Sequence, residues 1–108
     1  MITFVITDHA FERARERLCW HRRTLSRMLE RIFYDGLSPD ELPPRLRAAV
    51  NLHPEENRPT SSRIYGEHLF LFGRDLPGQA DLITVYALPR AVRPLIHHTR
   101  RSRFALAA

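Results

Sequence analysis

The chain has 108 residues, room for one hydrophobic core but not for two. With 44% of its residues hydrophobic and 27% charged it is not a disordered polyelectrolyte, and its single cysteine, Cys19, excludes an intramolecular disulfide and a multi-cysteine zinc site. The formal net charge of +5 points to an acidic partner, and nucleic acid fits best because guanidinium groups bind phosphate through paired hydrogen bonds and stack on bases.

Thr3 to Thr7 (TFVIT) is β-branched and aromatic, and short enough to be a strand. Asp8 ends it and is placed to cap a helix, in which Phe11, Ala14 and Leu18 form the core stripe at i, i+3, i+7. His9, Arg13 and Arg17, spaced by four, share another face. A second helix is expected over Arg22 to Asp35, with Leu25, Met28, Leu29, Ile32 and Phe33 as its apolar stripe and Gly36 as its stop. The two helices make a hairpin.

Ser38-Pro39-Asp40-Glu41 reads as a further helix start, cut short by Pro43-Pro44. One or two helical turns over Arg45 to Leu52 would precede an exposed loop from His53 to Thr60. The period then changes to that of strands, at Arg63 to Tyr65, Leu69 to Phe72 and Leu82 to Leu88, joined by Gly66-Glu67 and by Asp75 to Gln79. Short turns make this an antiparallel meander. The fold class is therefore α+β, with the N-terminal strand and helical hairpin packed on a mainly antiparallel sheet and the helices on one face. Residues 1–95 form the domain, and residues 96–108 form a basic tail, irregular or a short helix after Pro94.

Cβ atoms four apart on a helix are about 6 Å from one another, so His9, Arg13 and Arg17 are able to surround one phosphate. An imidazole titrates near neutrality and passes protons, while guanidinium groups offset the charge that builds on a phosphorane. The competing reading is a solvated basic face in which Glu12 and Glu16 pair with the arginines. Thr84 and Tyr86, two apart on the last strand, share a face. So do Arg63 and Tyr65, the next candidates for contact with nucleic acid. Arg90, Arg93, Arg100, Arg101 and Arg103 extend the basic surface through the tail, to grip a nucleic-acid backbone, to lie in an acidic partner's groove, or simply to be solvated.

All 17 basic residues are arginine. A GC-rich genome accounts for arginine over lysine as well as an anionic partner does, but not for the net excess of charge. Cys19 is expected to be a buried structural residue, and His21, His53 and His68 to be isolated surface groups. His97-His98 lacks the companions of a metal site, so neither metal nor other cofactor is expected. The start lacks the basic and apolar regions of a secretion signal, and no run approaches the roughly 20 apolar residues that span a bilayer, so no membrane partner is expected and the cytoplasm is.

Ile6-Thr7-Asp8-His9-Ala10-Phe11-Glu12-Arg13-Ala14-Arg15-Glu16-Arg17 resembles the T-x-H-A-x-x-R-x-x-E-R opening of small bacterial proteins of the DUF4258 type, which are similar in layout to RelE-like and BrnT-like toxins. Arg63-Ile64-Tyr65-Gly66 and Leu82 to Tyr86 resemble that group's R-Y-x-G hairpin and final strand, so the likeness covers residues 3–36 and 61–88. The group's Gly-Ile-Ser turn is replaced here by Leu18-Cys19-Trp20, the stretch from Ser38 to Thr60 is longer, and the lysines of many such toxins have no counterpart. The resemblance implies metal-independent RNA cleavage, with His9 as general base or acid, Arg13 and Arg17 stabilising the transition state, and Thr84 and Tyr86 orienting the phosphate or donating a second proton. It equally accommodates a non-catalytic nucleic-acid-binding or protein-interaction module, and an acidic antitoxin as partner.

Overall fold

The computed structural model describes residues 1–50 and 59–107, with side chains through Ser102. Strand β1 (Thr3–Ile6) leads into helix α1 (Asp8–Leu18), and helix α2 (Arg22–Asp35) follows after a short connection and shares a core with it. A single 3-10 turn (Pro39–Glu41) and the short helix α3 (Pro44–Val50) follow. Strands β2 (Thr60–Tyr65), β3 (His68–Gly73) and β4 (Gln79–Ala87) form the meander, and helix α4 (Arg93–Ala107) ends the chain. The expected loop from His53 lies outside the described residues as far as Arg58, and Thr60 already belongs to β2.

The sheet order is β1-β4-β3-β2, antiparallel except that β1 runs parallel to β4. The order follows from the connections: β4 has one free edge once it has paired with β3, and β1 takes it. Pairing of Leu71 with Thr84 and of Phe72 with Leu82 leaves Ile83 as an extra residue, a β-bulge. Before the bulge Ala80 and Leu82 face the α1/α2 side; after it Val85 does, so Thr84 and Tyr86 project from the other face.

Both faces of the sheet are covered, not one. Leu25, Leu29, Ile32 and Phe33 of α2 pack with Phe70 and Phe72 on the first face, as their spacing predicts. On the second, Leu46 and Val50 of α3 and Val92 and Ile96 around the start of α4 bury against Ile64 and Leu69. The residues from Arg93 onward thus take the helical of the two expected forms, a 15-residue helix anchored by Ile96 at 2% exposure. It crosses the expected boundary at residue 95.

Local capping also departs from the sequence reading. Thr7, not Asp8, caps α1: its backbone is extended, and its hydroxyl accepts the Ala10 N–H at 3.1 Å. The buried positions of α1 are Ala10 and Ala14, with Phe11 and Leu18 only partly covered. Two alanines let the helix backbone approach the sheet closely, and the Phe11 ring turns outward beneath the Arg22 guanidinium, 4.5 Å from its centroid. Gly36 does end α2, but with φ −66°. Its role is close approach, since a Cβ there would lie 2.5 Å from the Ile32 carbonyl oxygen and 3.1 Å from that of Ile64.

Candidate functional site

Strand β1 pairs with β4 only from Gln79 to Leu82, and beyond that point α1 takes its place along the β4 edge. Thr7 fixes the junction. Its hydroxyl donates to the Leu82 carbonyl at 2.9 Å, and the Ile83 carbonyl oxygen of the bulge lies 3.3 Å away. With α1 held there, its basic face meets the two residues that the bulge has turned over.

The His9 Nε2 and Thr84 Oγ1 atoms are 3.3 Å apart. The hydroxyl donates when Nε2 is unprotonated and accepts when it carries a proton. Thr84 is 4% exposed, so its hydroxyl is held in place, whereas the His9 ring is open to solvent. Two turns further along α1, the Arg17 guanidinium donates to the Val85 carbonyl and lies 5.8 Å from the centroid of the Tyr86 ring. Tyr86 is 44% exposed, a large aromatic surface facing solvent beside a cation. Arg13 sits between His9 and Arg17 on the helix but turns to Glu16, 2.6 Å away. Four of the five proposed catalytic residues therefore meet in two contacts along one edge, His9 with Thr84 and Arg17 with Tyr86, and Arg13 shares the helix face between them.

The other candidates lie elsewhere. Arg63 is in register with Phe70, which is in register with Val85, so two strand spacings of about 5 Å separate it from the α1 edge. Its guanidinium donates Nε to the Phe33 carbonyl and Nη1 to that of Ser62, each at 2.8 Å, and stacks on the Phe33 ring. Burial lowers its pKa and the Arg74 charge adds to this, against the carboxylates of Glu41 and Asp40. The Tyr65 ring lies under Arg100, 5.4 Å from its centroid, and Arg93 pairs with Glu67 at 3.3 Å. Arg90 and Arg101 are exposed, while the Arg103 side chain lies outside the described residues.

Two residues read as unremarkable have defined roles. His68 is partly buried between the α1 face and α4, and its pKa is lowered, first by burial and then by the Arg93 charge. Glu67 and a hydrogen bond with the Arg17 backbone oppose that shift. Cys19 is exposed rather than buried, because it takes the left-handed C-cap of α1 at φ 56°. His97 approaches Glu67 at 3.5 Å. Among the described residues, no group of three or more His, Cys, Asp or Glu side chains is placed to hold a metal ion, and no helix is long and apolar enough to cross a membrane. No family model, curated protein or solved structure matches the chain.

Proposed function

We propose that the protein acts on RNA as a toxin-like, metal-independent endoribonuclease working at the α1–β4 edge. The observation that carries this reading is the 3.3 Å approach of His9 to Thr84, with Arg17 and Tyr86 on the same edge. Had the last strand faced away from α1, no proton-transfer group and phosphate-binding group would share a site.

In the proposed reaction the RNA 2′-oxygen attacks the adjacent phosphorus, and His9 takes the 2′-hydroxyl proton. The P–O5′ bond breaks, the leaving oxygen takes a proton from the Tyr86 hydroxyl or from water, and the products are a 2′,3′-cyclic phosphate and a 5′-hydroxyl. Arg13 and Arg17 offset the charge of the phosphorane, and the Thr84 hydroxyl orients His9. Arg13 has to leave Glu16 to do so, a small cost because that pair is exposed. The arginines of α4 supply a surface for the rest of the strand, or for an acidic antitoxin in a cytoplasmic toxin–antitoxin or phage or plasmid system. The likeness to RelE-like and BrnT-like toxins agrees with this and rests on the quoted residues alone.

A specific observation favours a second reading. Arg13 is engaged by Glu16 and Arg17 by the Val85 carbonyl, and the His68 imidazole, the other one near this edge, is partly buried and hydrogen-bonded to the Arg17 backbone. A non-catalytic nucleic-acid-binding module on the same surface needs no second proton carrier. Incubation of a 5′-labelled single-stranded RNA with the purified protein in EDTA separates the two. Fragments ending in 2′,3′-cyclic phosphate, absent with His9→Ala, are expected; salt-sensitive binding with intact RNA would replace the enzyme by the binding module.

A further inference from the structure

The outer face of α2 carries a row of arginines that the proposed activity does not use. Arg23, Arg27 and Arg31 recur every four residues, so their Cβ atoms line up about 6 Å apart. Leu25, Leu29 and Ile32 turn the opposite side of the helix into the core, and all three arginines are exposed. Tyr34, three residues beyond Arg31 on the same side, is 56% exposed. The row looks away from the sheet on its first face, whereas Thr84 and Tyr86 project from the second.

Two features show that these charges do nothing for the fold itself. On α1 each arginine has a protein partner: Arg13 the Glu16 carboxylate, Arg15 the Phe11 ring, and Arg17 the Val85 carbonyl. Among the described residues no ion pair, hydrogen bond or ring contact includes Arg23, Arg27 or Arg31, and the Glu30 carboxylate stays beyond ion-pair distance of all three. Like charges four apart on a helix repel. The charges of α2 also run against its dipole: Arg22 and Arg23 occupy a first turn without an acid, Asp35 ends a last turn without a base, and His21 makes no side-chain cap. A helix arranged for its own stability has the reverse order. A polyanion along this face would offset the repulsion within the row and the misplaced charge at its start.

Nucleic acids, acidic proteins and anionic membranes all carry such charge, and the rest of the face decides among them. No aliphatic residue of α2 is exposed, because its apolar stripe is buried against the sheet. A membrane therefore finds nothing to take into its acyl region, and a protein finds no apolar centre of the kind that anchors an interface. A regular row of charge with an aromatic ring at its end matches a polymer of phosphates whose bases stack. We infer that Arg23, Arg27 and Arg31 form a docking surface for the phosphate backbone of a nucleic acid, separate from the α1–β4 edge and independent of any activity there. Contacts of this kind position a strand or a duplex without reading its sequence.

Binding of the full chain is measured by fluorescence anisotropy in EDTA, with a labelled 2′-O-methyl oligoribonucleotide as a single strand and as a duplex. Neither form has a 2′-hydroxyl, so neither is cut. The slope of log affinity against log salt counts the phosphates neutralised. Arg23→Gln, Arg27→Gln and Arg31→Gln together are expected to make it shallower by about 2 on a single strand or about 3 on a duplex, and to weaken binding about 10²-fold at about 0.1 M salt. The form that shows the change is the source of the backbone. Arg27→Gln alone should give about a third of the change in slope. Arg23→Lys, Arg27→Lys and Arg31→Lys together keep the charges and should keep the slope. The glutamine variant should unfold at the wild-type urea concentration or above it, since repulsion is relieved. Its effect should persist in an Arg13→Gln, Arg17→Gln background whether or not RNA is cleaved in a parallel assay, so this surface and the α1–β4 reading fail separately. A wild-type chain that binds neither form, or a slope unchanged by the glutamine substitutions, overturns the surface. A slope lost with Arg13→Gln and Arg17→Gln but kept with the α2 variant assigns the backbone to the α1–β4 edge instead. Binding through these arginines to polyglutamate or to phosphatidylserine vesicles, with none to nucleic acid, replaces the inferred partner by an acidic protein or a membrane.

Discussion

His9 Nε2 and Thr84 Oγ1 meet at 3.3 Å across 75 residues of sequence, and the extra residue at Ile83 is what brings them together. Without that bulge Thr84 would continue the face of Leu82, toward the α1/α2 core, and no hydroxyl would reach the imidazole. Under the proposed ribonuclease activity, His9→Ala is therefore expected to lower the single-turnover cleavage rate by about 10²- to 10⁴-fold while RNA affinity changes little. Thr84→Val removes only the orienting hydroxyl, and its loss should be smaller and confined to the rate rather than the binding constant. Cleavage by His9→Ala at the wild-type rate would remove the imidazole from the chemistry.

Thr7 ties the same edge together from the opposite end. Its hydroxyl caps α1 through the Ala10 N–H and donates to the Leu82 carbonyl beside the bulge, so one side chain joins helix, strand and turn. Thr7→Ala should destabilise the protein by about 1–2 kcal/mol in urea unfolding, the upper part of the range for lost N-caps. Thr7→Ser, which keeps the oxygen, should recover most of it. If the two substitutions are equally costly, the methyl group and not the hydroxyl holds the junction.

The legible parts of this fold are those set by periodicity. The α2 stripe from Leu25 to Phe33 and the three strands of the meander follow from repeats of 3.6 and 2. The α1 face followed from the spacing of His9, Arg13 and Arg17 in the same way. What periodicity misses is the single extra residue. Strict alternation through Leu82, Thr84 and Tyr86 assigns all three to one face, and the bulge at Ile83 separates the first from the other two. The second layer of helices was hidden for a related reason. Proline at 89 and 94 reads as punctuation, yet Pro94 sits in the first turn of α4, where a missing N–H costs nothing.

His68 ties stability to pH. Burial and the positive charge of Arg93 hold its pKa below the ordinary value of about 6.5, so the unfolded chain binds the proton more readily than the folded one. The stability this contributes is complete above that value and is lost as pH falls from it toward the lowered native pKa. Urea midpoints measured between pH 8 and pH 5 should fall on the acid side, and His68→Gln should flatten that slope. Glu67→Gln removes the carboxylate that opposes the shift and should steepen it. An unchanged slope in His68→Gln would place the acid sensitivity on another group.

Gly36 and Gly66 differ in why they are glycine, and alanine at each should separate the two causes. At Gly66 φ is +62° and a Cβ meets nothing within 4 Å, so Gly66→Ala costs only the left-handed backbone, about 1–2 kcal/mol. At Gly36 the backbone is ordinary at φ −66°, but a Cβ would stand 2.5 Å from the Ile32 carbonyl oxygen and 3.1 Å from both the Arg63 Cβ and the Ile64 carbonyl oxygen. Two of these are backbone atoms that cannot turn aside, so the last turn of α2 must open at Ile32 and its end must also draw back from β2. Overpacking of this kind costs about 1–3 kcal/mol, and the retreat also strains the bond from Arg63 Nε to the Phe33 carbonyl. Gly36→Ala is expected to lower the urea midpoint and to speed exchange of the Leu37 and Ile64 amides, which bond to one another's carbonyls at 2.8 Å. Gly66→Ala should lower the midpoint without touching those two amides. Equal protection of Leu37 and Ile64 in both variants would mean that the α2–β2 contact absorbs the extra carbon without opening.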